Sequence, residues 1–480
     1  MTATDTGAGP QPGQTQGTLA YRLIRAMIRL LLWLFYRRID VVGRERIPPS
    51  GGVIVAANHH NSVVDAMLII ATVPRAVTVL ANAPLFRHPL VGPPLRMLGA
   101  VPVNRRLEAG DDPRKNEAMF AAAIEALRAG DVILIFPEGR TQPQPILLPL
   151  RTGAARLALG AERAAGGPCP VTLLPVGIAF HDPGTFRSAS VQLTIGTPMA
   201  TADLAAAHRG RPEEAVRAIT ARLTESIAAR IVEAEDHYTL GLLAVLERAW
   251  WEEAARRGEA EPAPGEAAEQ ALAWKQRVMR AERYLAEREP ARVAELRRRV
   301  ERYRVHLDEV GITSEQLGQP YTASLVTSYV VTNVLWLALG LPLACWGIAC
   351  HAVPYWMTGQ IVRRLGRTLE EEATDKMAAG LVFYPLLWGV EGWGVWRFAG
   401  LPALVAFVLL LVPSGLLALV WRERLGRVVR QARAFFLFLA DRDLHRRLLA
   451  ERRALVGELR ELADRVPPEV LGSRRPRDAQ

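Results

Sequence analysis

The chain has 480 residues, of which half are hydrophobic and 22% are charged, and its formal net charge is +10. This length and apolar content exclude a disordered chain and a miniature scaffold, and they favour more than one domain. The excess of positive charge favours acidic partners, namely nucleic acid, anionic lipid or phosphorylated small molecules. Cys169, Cys345 and Cys350 are too few and too poorly spaced for a disulfide framework or a zinc site.

The N-terminal segment predicts a mobile tail followed by an amphipathic helix. Residues 1–17 are rich in Gly, Thr, Pro and Gln and lack the charged start of a signal peptide. Within residues 18–38, helical spacing puts Arg22, Arg25 and Arg29 on one face. The opposite face carries Leu23, Met27, Leu30, Leu31 and Leu34. This pattern predicts a helix that lies in a membrane interface; the alternative is an amphipathic helix that packs on its own domain.

From residue 39 to residue 200, short β-branched runs alternate with helical stretches. The candidate strands are residues 53–57, 76–81, 100–103, 132–136, 172–180 and 191–195. The candidate helices are residues 65–73, 114–129 and 152–164. This alternation predicts an α/β domain with a mixed sheet flanked by helices. Motifs at the ends of its strands are then expected to converge on one crevice.

The segment after this domain is predicted to be helical and charged. Residues 201–318 carry opposite charges at helical spacing, which is typical of solvated helices, and we expect them to have a structural or regulatory role. Residues 422–480 are predicted to form a basic amphipathic helix over residues 422–466 and a tail, with the helix suited to an anionic surface.

Between these two segments, residues 319–421 contain three apolar stretches, namely residues 325–350, 377–396 and 398–421. The first, residues 325–350, has no charged residue and is long enough to cross a bilayer about 30 Å thick. We expect membrane hairpins, in which the first stretch folds back at Pro342 and the second and third stretches pair. Three full crossings, or very apolar helices buried in a protein core, are the alternatives.

The stretch "AANHHNSVVDAML", residues 56–68, places an acid shortly after a likely strand and two histidines. Regular helix or strand geometry does not bring His60 and Asp65 to the same side. A turn at Asn61 and Ser62 would place the Asp65 carboxylate behind the His60 imidazole. A histidine oriented in this way can take a proton from a hydroxyl group, which is general base catalysis.

Three other segments of the α/β region supply charged residues at strand or helix ends. In "GAVPVNR", Arg105 follows a short strand and is either a phosphate ligand or an ordinary surface residue. In "ILIFPEGRTQ", a buried strand leads into Glu138, Gly139 and Arg140, and the acid is expected to pair with a cation or an acceptor hydroxyl. Arg151 precedes a helix whose N-terminus is suited to an anion.

Together these segments resemble the glycerol-phosphate acyltransferase superfamily over about residues 40–200. The four matching blocks, in order, are His60 to Asp65, Gly99 to Arg105, Phe136 to Gly139, and Pro175 with Val176. The resemblance implies that His60 is the catalytic base and that Asp65 orients it. It further implies that Arg105 and the run from Glu138 to Arg140 contact the phosphate of the acceptor.

The chain departs from the usual pattern of the family in three places. His59 stands directly before the expected base, where the family commonly has Asn, and we expect it to be only a neighbour. Arg140 follows Gly139 directly, with Thr141 behind it, whereas family members commonly have these two residues in the opposite order. Arg151 replaces the usual Lys and keeps its charge. The "HHN" variant and the hydrophobic C-terminal extension resemble the subgroup that acylates glycerol 3-phosphate or dihydroxyacetone phosphate.

The resemblance implies transfer of a fatty acyl group from acyl-CoA or acyl carrier protein to such an acceptor, without a cofactor or metal. Membrane lipids are the expected surroundings, and the catalytic domain is expected on the cytoplasmic face. One alternative is a lysophosphatidate or other lysophospholipid acyltransferase, and another is an inactive membrane lipid-binding or scaffold protein. A nucleic-acid binder is disfavoured, because no stacking platform or recognition motif accompanies the arginines.

Overall fold

The computed structural model describes residues 18–88, 91–103, 113–164, 171–181, 186–187, 190–207, 210–259, 266–314, 317, 323–365 and 369–472. The chain divides into two compact units. The first consists of Met1–His237 together with Arg367–Ala378. The second consists of Tyr238–Gly366 together with Ala379–Gln480.

The first unit contains a mixed β-sheet of eight strands within the described residues. The strands are β1 (Arg38–Val42), β2 (Val53–Ala57), β3 (Val77–Asn82), β4 (Val101–Val103), β5 (Val132–Ile135), β6 (Thr172–His181), β7 (Ser190–Ile195) and β8 (Met199–Ala200). Their spatial order is β1-β7-β6-β2-β5-β3-β4, and β8 pairs with β6. Strand β6 runs antiparallel to β7 and β8, and the other neighbours are parallel. The predicted α/β class and mixed sheet are confirmed.

Helices cover both faces of this sheet and form the second unit. The helices are α1 (Leu19–Phe35), α2 (Ser62–Thr72), α3 (Gly92–Met97), α4 (Pro113–Arg128), α5 (Gly153–Ala164), α6 (Ala202–Ala207), α7 (Pro212–Ala228), α8 (His237–Arg256), α9 (Ala267–Arg288), α10 (Pro290–Val310), α11 (Ala323–Leu365), α12 (Leu369–Ala440), α13 (Arg442–Asp464) and α14 (Pro468–Leu471).

The pleat of β2 divides the core into two halves, because successive side chains of a strand point to opposite faces. Val53 and Val55 pack with α1 and α2, together with Ala373 and Met377 from the start of α12. Ile54 belongs to a second cluster, with α4, α5 and α7. The central strand is therefore buried on both sides, which explains its continuous apolar sequence.

Helix α1 packs on the α/β domain, which is the alternative to a helix that lies only in a membrane interface. Its buried face consists of Tyr21, Ile24, Ile28, Leu32 and Phe35. Arg29 donates to the carbonyl of Ala71 at 3.0 Å and Arg25 to that of Pro74 at 3.3 Å, so both arginines bind the end of α2, where the helix dipole is negative. The exposed face still carries Leu19, Leu23, Leu30 and Trp33. A membrane contact through α1 is therefore restricted to these exposed apolar residues.

The first unit extends beyond residue 200, where we expected the α/β domain to end. Helix α7 buries Ala215, Ile219, Leu223 and Ile227 in the core on one face of the sheet. These four residues are spaced four apart and form one stripe of the helix. A helix with such a stripe belongs to the layer that covers the sheet, and the unit accordingly continues to His237.

In the second unit, α13 packs on α10 and carries ion pairs to it. Arg292 pairs with Glu461 at 2.9 Å, and His306 with Glu451 at 3.1 Å. The apolar side of α13 is buried, with Leu455 and Val456 at most 1% exposed. The predicted single basic helix over residues 422–466 is therefore wrong, because α12 ends at Ala440 and the following helix buries its apolar face against protein.

The long apolar segments form helices, but the predicted fold-back at Pro342 is wrong. Helix α11 passes through Pro342 and Pro354 without a break. The chain instead reverses at Gly400 in α12, whose backbone is non-helical (φ 82°, ψ −178°). Leu404 packs against Gly392 across this bend, so the second and third apolar stretches lie side by side.

Two segments, Val330–Arg364 and Glu372–Ala440, are long and apolar enough to cross a membrane. Only 22% of the most apolar window of each is buried within the protein, which is unlike the core helix of a soluble domain. Large apolar side chains such as Leu339, Phe398 and Leu409 are more than 60% exposed. These surfaces are suited to a lipid environment.

Candidate active site

Two motifs meet at the carboxyl ends of neighbouring parallel strands. Strands β2 and β5 lie side by side, with Ala56 opposite Ile135. Strand β2 leads into Asn58, His59 and His60, and β5 leads into the run from Phe136 to Arg140. Because both motifs leave the sheet at the same edge, their side chains come together there.

A tight turn carries the chain from His60 into α2. Asn61 precedes the helix, and Ser62 has a φ of 41°, an uncommon value for a residue other than glycine. This turn places Asp65, which is fully buried, in the first turn of α2. Its Oδ2 accepts hydrogen bonds from the backbone N–H groups of His60 and Asn61, both at 2.8 Å. The start of a helix also favours a negative charge.

The imidazole that pairs with Asp65 belongs to His59. The distance from His59 Nδ1 to Asp65 Oδ2 is 2.8 Å. The His59 ring stacks on Phe136, with centroids 4.0 Å apart and an interplanar angle of 11°. Among the described residues, no hydrogen-bond partner faces His59 Nε2. The expected pairing of Asp65 with the His60 imidazole is therefore wrong, because the turn returns the carboxylate to the His60 backbone and to the preceding ring.

The His60 side chain is held as a neutral ring. The Nδ1 atom of His60 lies 3.0 Å from the side-chain nitrogen Nδ2 of Asn58, and the Nε2 atom of His60 lies 3.2 Å from the carbonyl oxygen of Ile146. Nε2 therefore carries the proton and Nδ1 accepts. Burial lowers the pKa of His60 to about 4, and the nearby Asp65 carboxylate offsets only part of this effect. With both nitrogens engaged, His60 is poorly placed to take a proton from a substrate.

Asn58 is a site residue that the sequence analysis missed. Its amide nitrogen donates to the carbonyl of Ile178 at 2.8 Å, and its Oδ1 accepts from the N–H of Ile178 at 2.7 Å. Asn58 is fully buried and continues the pairing of β2 with β6 beyond Ala57, the last residue of β2. Its side chain also orients His60. The available signal was a polar residue directly after a wholly apolar strand.

Glu138 holds the backbone of the site. It is 3% exposed; its Oε1 accepts from the N–H of His59 at 2.8 Å and its Oε2 from that of Leu148 at 3.0 Å. Burial raises the pKa of Glu138 to about 7, although these two hydrogen bonds lower it. We expected this carboxyl group to contact the acceptor or a cation, but in the structure it bridges the histidine motif and the chain near Leu148.

The cationic candidates lie on the loop that follows β5. The guanidinium of Arg151 lies over Gly139, where a Cβ would come within 2.6 Å of its Nε. Gly139 has a φ of 72°, and the neighbouring Arg140 is exposed. The N–H of Arg151 donates to the carbonyl of Pro137 at 2.7 Å, which closes this loop. Arg105 lies outside the described residues.

Residues 38–179 match the family model described as Acyltransferase. Over 155 residues, the chain is 33% identical to a 1-acyl-sn-glycerol-3-phosphate acyltransferase of Borreliella burgdorferi, covering 32% of this chain and 58% of that protein. It is 26% identical to a protein of the same name from Bacillus subtilis, covering 41% of this chain and 88% of that protein. It is 30% identical to glycerol-3-phosphate O-acyltransferase 2 of Saccharomyces cerevisiae, covering 28% of this chain and 18% of that protein.

The chain thus spans less than two thirds of the length of the Borreliella and yeast proteins. Among solved structures, the 1-acyl-sn-glycerophosphate (LPA) acyltransferase PlsC from Thermotoga maritima is 25% identical and matches 43% of this chain and 78% of that one. Its TM-score of 0.30 is too low to bear on the fold.

Proposed function

Because residues 38–179 match the family model described as Acyltransferase, we propose that the protein transfers a fatty acyl group from a thioester to a hydroxyl of glycerol 3-phosphate or dihydroxyacetone phosphate. The thioester donor is acyl-CoA or acyl carrier protein, and no metal or cofactor takes part in this proposal. The observation that carries it is the hydrogen bond between His59 Nδ1 and Asp65 Oδ2, 2.8 Å long, with no partner for His59 Nε2 within the described part of the chain. This arrangement is that of an oriented general base.

In the proposed mechanism, His59 Nε2 takes the proton of the acceptor hydroxyl while the hydroxyl oxygen attacks the carbonyl carbon of the thioester. The carbon–sulfur bond then breaks, and the thiol leaves with the proton that His59 returns. The Asp65 carboxylate stabilises the imidazolium through the hydrogen bond to Nδ1. Stacking on Phe136 fixes the plane of the ring, so little orientational freedom is lost during the reaction.

We propose Arg140 and Arg151 as phosphate contacts of the acceptor, with Arg105 as a third. Both of the described arginines are exposed and belong to the loop that follows β5, which also supplies Phe136 and Glu138 to the site. A guanidinium can bind two phosphate oxygens at once, which suits a small acceptor that must be oriented towards a base.

We propose that the protein is membrane-bound, with this domain on the cytoplasmic face. The two long apolar helices and the exposed stripe of α1 support a membrane location. Placing the site near the bilayer suits substrates with long chains, because moving each CH₂ group into water costs about 0.8 kcal/mol.

The base assignment is tested with two substitutions in the full chain, assayed in detergent or vesicles. His59→Asn keeps a donor for Asp65 but removes Nε2, and transfer should fall at least about a hundredfold. His60→Gln keeps a donor towards the Ile146 carbonyl and stays neutral, so the rate should remain within about tenfold of the unaltered chain. A near-normal rate for His59→Asn, or an equal loss for His60→Gln, would exclude His59 as the base.

Acceptor preference is tested by offering glycerol 3-phosphate, dihydroxyacetone phosphate and 1-acylglycerol 3-phosphate separately with acyl-CoA and with acyl carrier protein. Preference for the third acceptor would support a lysophosphatidate acyltransferase instead, the name carried by the Borreliella and Bacillus relatives. Absence of transfer to all three would favour an inactive lipid-binding or scaffold protein.

A further inference from the structure

The loop formed by residues 142–148 is bound to both catalytic motifs. The N–H of Gln142 donates to the carbonyl of His59 at 3.2 Å, and the carbonyl of Ile146 accepts from His60 Nε2 at 3.2 Å. The N–H of Leu148 donates to Glu138, whose other oxygen binds the N–H of His59. The His59 backbone is thus connected to this loop at two points, and the His60 side chain adds a third connection.

The opposite side of the 142–148 loop is bound by residues 233–237, which follow α7 and lead into α8. The carboxylate of Glu233 accepts from the N–H of Leu147 at 3.0 Å. The N–H of Ala234 donates to the carbonyl of Pro145 at 3.0 Å, and Nε2 of His237 donates to that of Pro143 at 2.8 Å. The 233–237 segment therefore makes three hydrogen bonds to one short loop.

We infer that the 233–237 segment is a positioning element of the active site, and that Glu233 is its main positioning residue. This inference rests on the proposed function, because it assigns the segment a role in acyl transfer. Glu233 and Glu138 bind the consecutive N–H groups of Leu147 and Leu148. Glu138 in turn binds the backbone of His59. A shift of the loop is therefore transmitted to the backbone of His59 through the Glu138 carboxyl group, as well as through the hydrogen bond from the N–H of Gln142.

Two physical arguments favour this role over mere attachment of a loop. The side-chain oxygen of Glu233 is the acceptor for the N–H of Leu147 at 3.0 Å, and an N–H group that loses its acceptor no longer restrains this part of the loop. Displacement of a reacting group by about 1 Å can cost about a hundredfold in rate. Freeing the loop on one side should therefore lower the turnover rate without removing any group that touches a substrate.

The test compares Glu233→Ala with Glu233→Gln in the full-length protein. The alanine variant loses the acceptor for Leu147, whereas glutamine keeps an oxygen in that position. We expect Glu233→Ala to lower kcat about tenfold to a hundredfold with both KM values within about twofold, and Glu233→Gln to stay within about threefold. The matched control is Glu225→Ala, which removes an exposed acid from α7.

Hydrogen exchange of the 142–148 loop gives a second readout that does not depend on activity. Exchange at Leu147 and Leu148 should be at least about tenfold faster in Glu233→Ala than in Glu225→Ala, and glutamine should restore protection. Unchanged protection, a kcat within twofold of the control, or failure of glutamine to restore either property would overturn the inference. If the unaltered chain transfers no acyl group, the proposed function fails, and exchange alone then decides whether the segment holds the loop.

Discussion

Substitution of Glu138 by Gln tests the electrostatics of the site most directly. The side chain is 3% exposed, and both carboxyl oxygens accept from backbone N–H groups. Burial nevertheless raises the pKa of Glu138 from 4.5 to about 7. The neutral acid is therefore favoured in the folded protein at pH values where the unfolded chain carries a carboxylate.

The sign of the pH dependence follows from this raised pKa. A group whose pKa is higher in the folded state contributes its full stability below the unfolded pKa of 4.5 and loses it as the pH rises through about 7. A difference of about 2.5 units, at about 1.4 kcal/mol per unit, gives a total loss of about 3 kcal/mol. Most of this loss, on the order of 2–3 kcal/mol, falls between pH 5 and pH 8.

Glutamine does not ionise, so the variant lacks this pH dependence. The free energy of unfolding of the variant should instead be lower by about 1–3 kcal/mol at every pH, because one of the two N–H groups faces an amide NH₂ in place of an oxygen. We expect the variant to be less stable than the unaltered chain at pH 5, and the stability of the variant relative to that chain should improve by about 2–3 kcal/mol between pH 5 and pH 8.

Native-state hydrogen exchange in β2 and β5 of the full chain in detergent, corrected for intrinsic rates, measures this difference. These strands report on the first unit, whereas melting of a chain with two units is not a two-state process. If the difference in stability between the variant and the unaltered chain is the same at pH 5 and at pH 8, the reasoning about Glu138 is refuted. A difference of the opposite sign would show that the two N–H groups, and not burial, control the ionisation of Glu138.

Three further substitutions test separate parts of the structure. Asp65→Asn should lower kcat about 10³- to 10⁴-fold by destabilising the imidazolium and its tautomer, as steady-state kinetics would show. Gly139→Ala should raise the acceptor KM, since a Cβ there meets Arg151, whereas Gly210→Ala, with a similar positive φ and no neighbour within 4 Å, should leave KM unchanged. Gly400→Ala should lower the temperature at which the helical circular dichroism signal is lost, because the φ of 82° at position 400 is strained for any residue with a side chain.

The sequence predicted the strands well because fully buried strands need continuous β-branched runs. The prediction for β2, residues 53–57, matches its observed bounds, and β6 is one residue longer than expected. Strand β1 was missed because its burial is only partial, so its sequence lacks a continuous apolar run. His60, Asp65 and Glu138 were singled out as candidate site residues from the sequence, whereas His59 was expected to be only a neighbour. His60 and Glu138 drew attention because titratable groups just after buried strands are unusual.

Local sequence by itself determined the α/β class, the apolar helices and the edge of the sheet at which the polar motifs meet. Only the tertiary structure decided which imidazole faces Asp65, because sequence spacing specifies neither the turn at Ser62 nor the direction in which His59 and His60 point. It also decided that Glu138 binds backbone amides, since its partner Leu148 comes from a loop held by other hydrogen bonds. Periodicity records which side chains are buried, whereas pairing between distant segments depends on the packing of the whole unit.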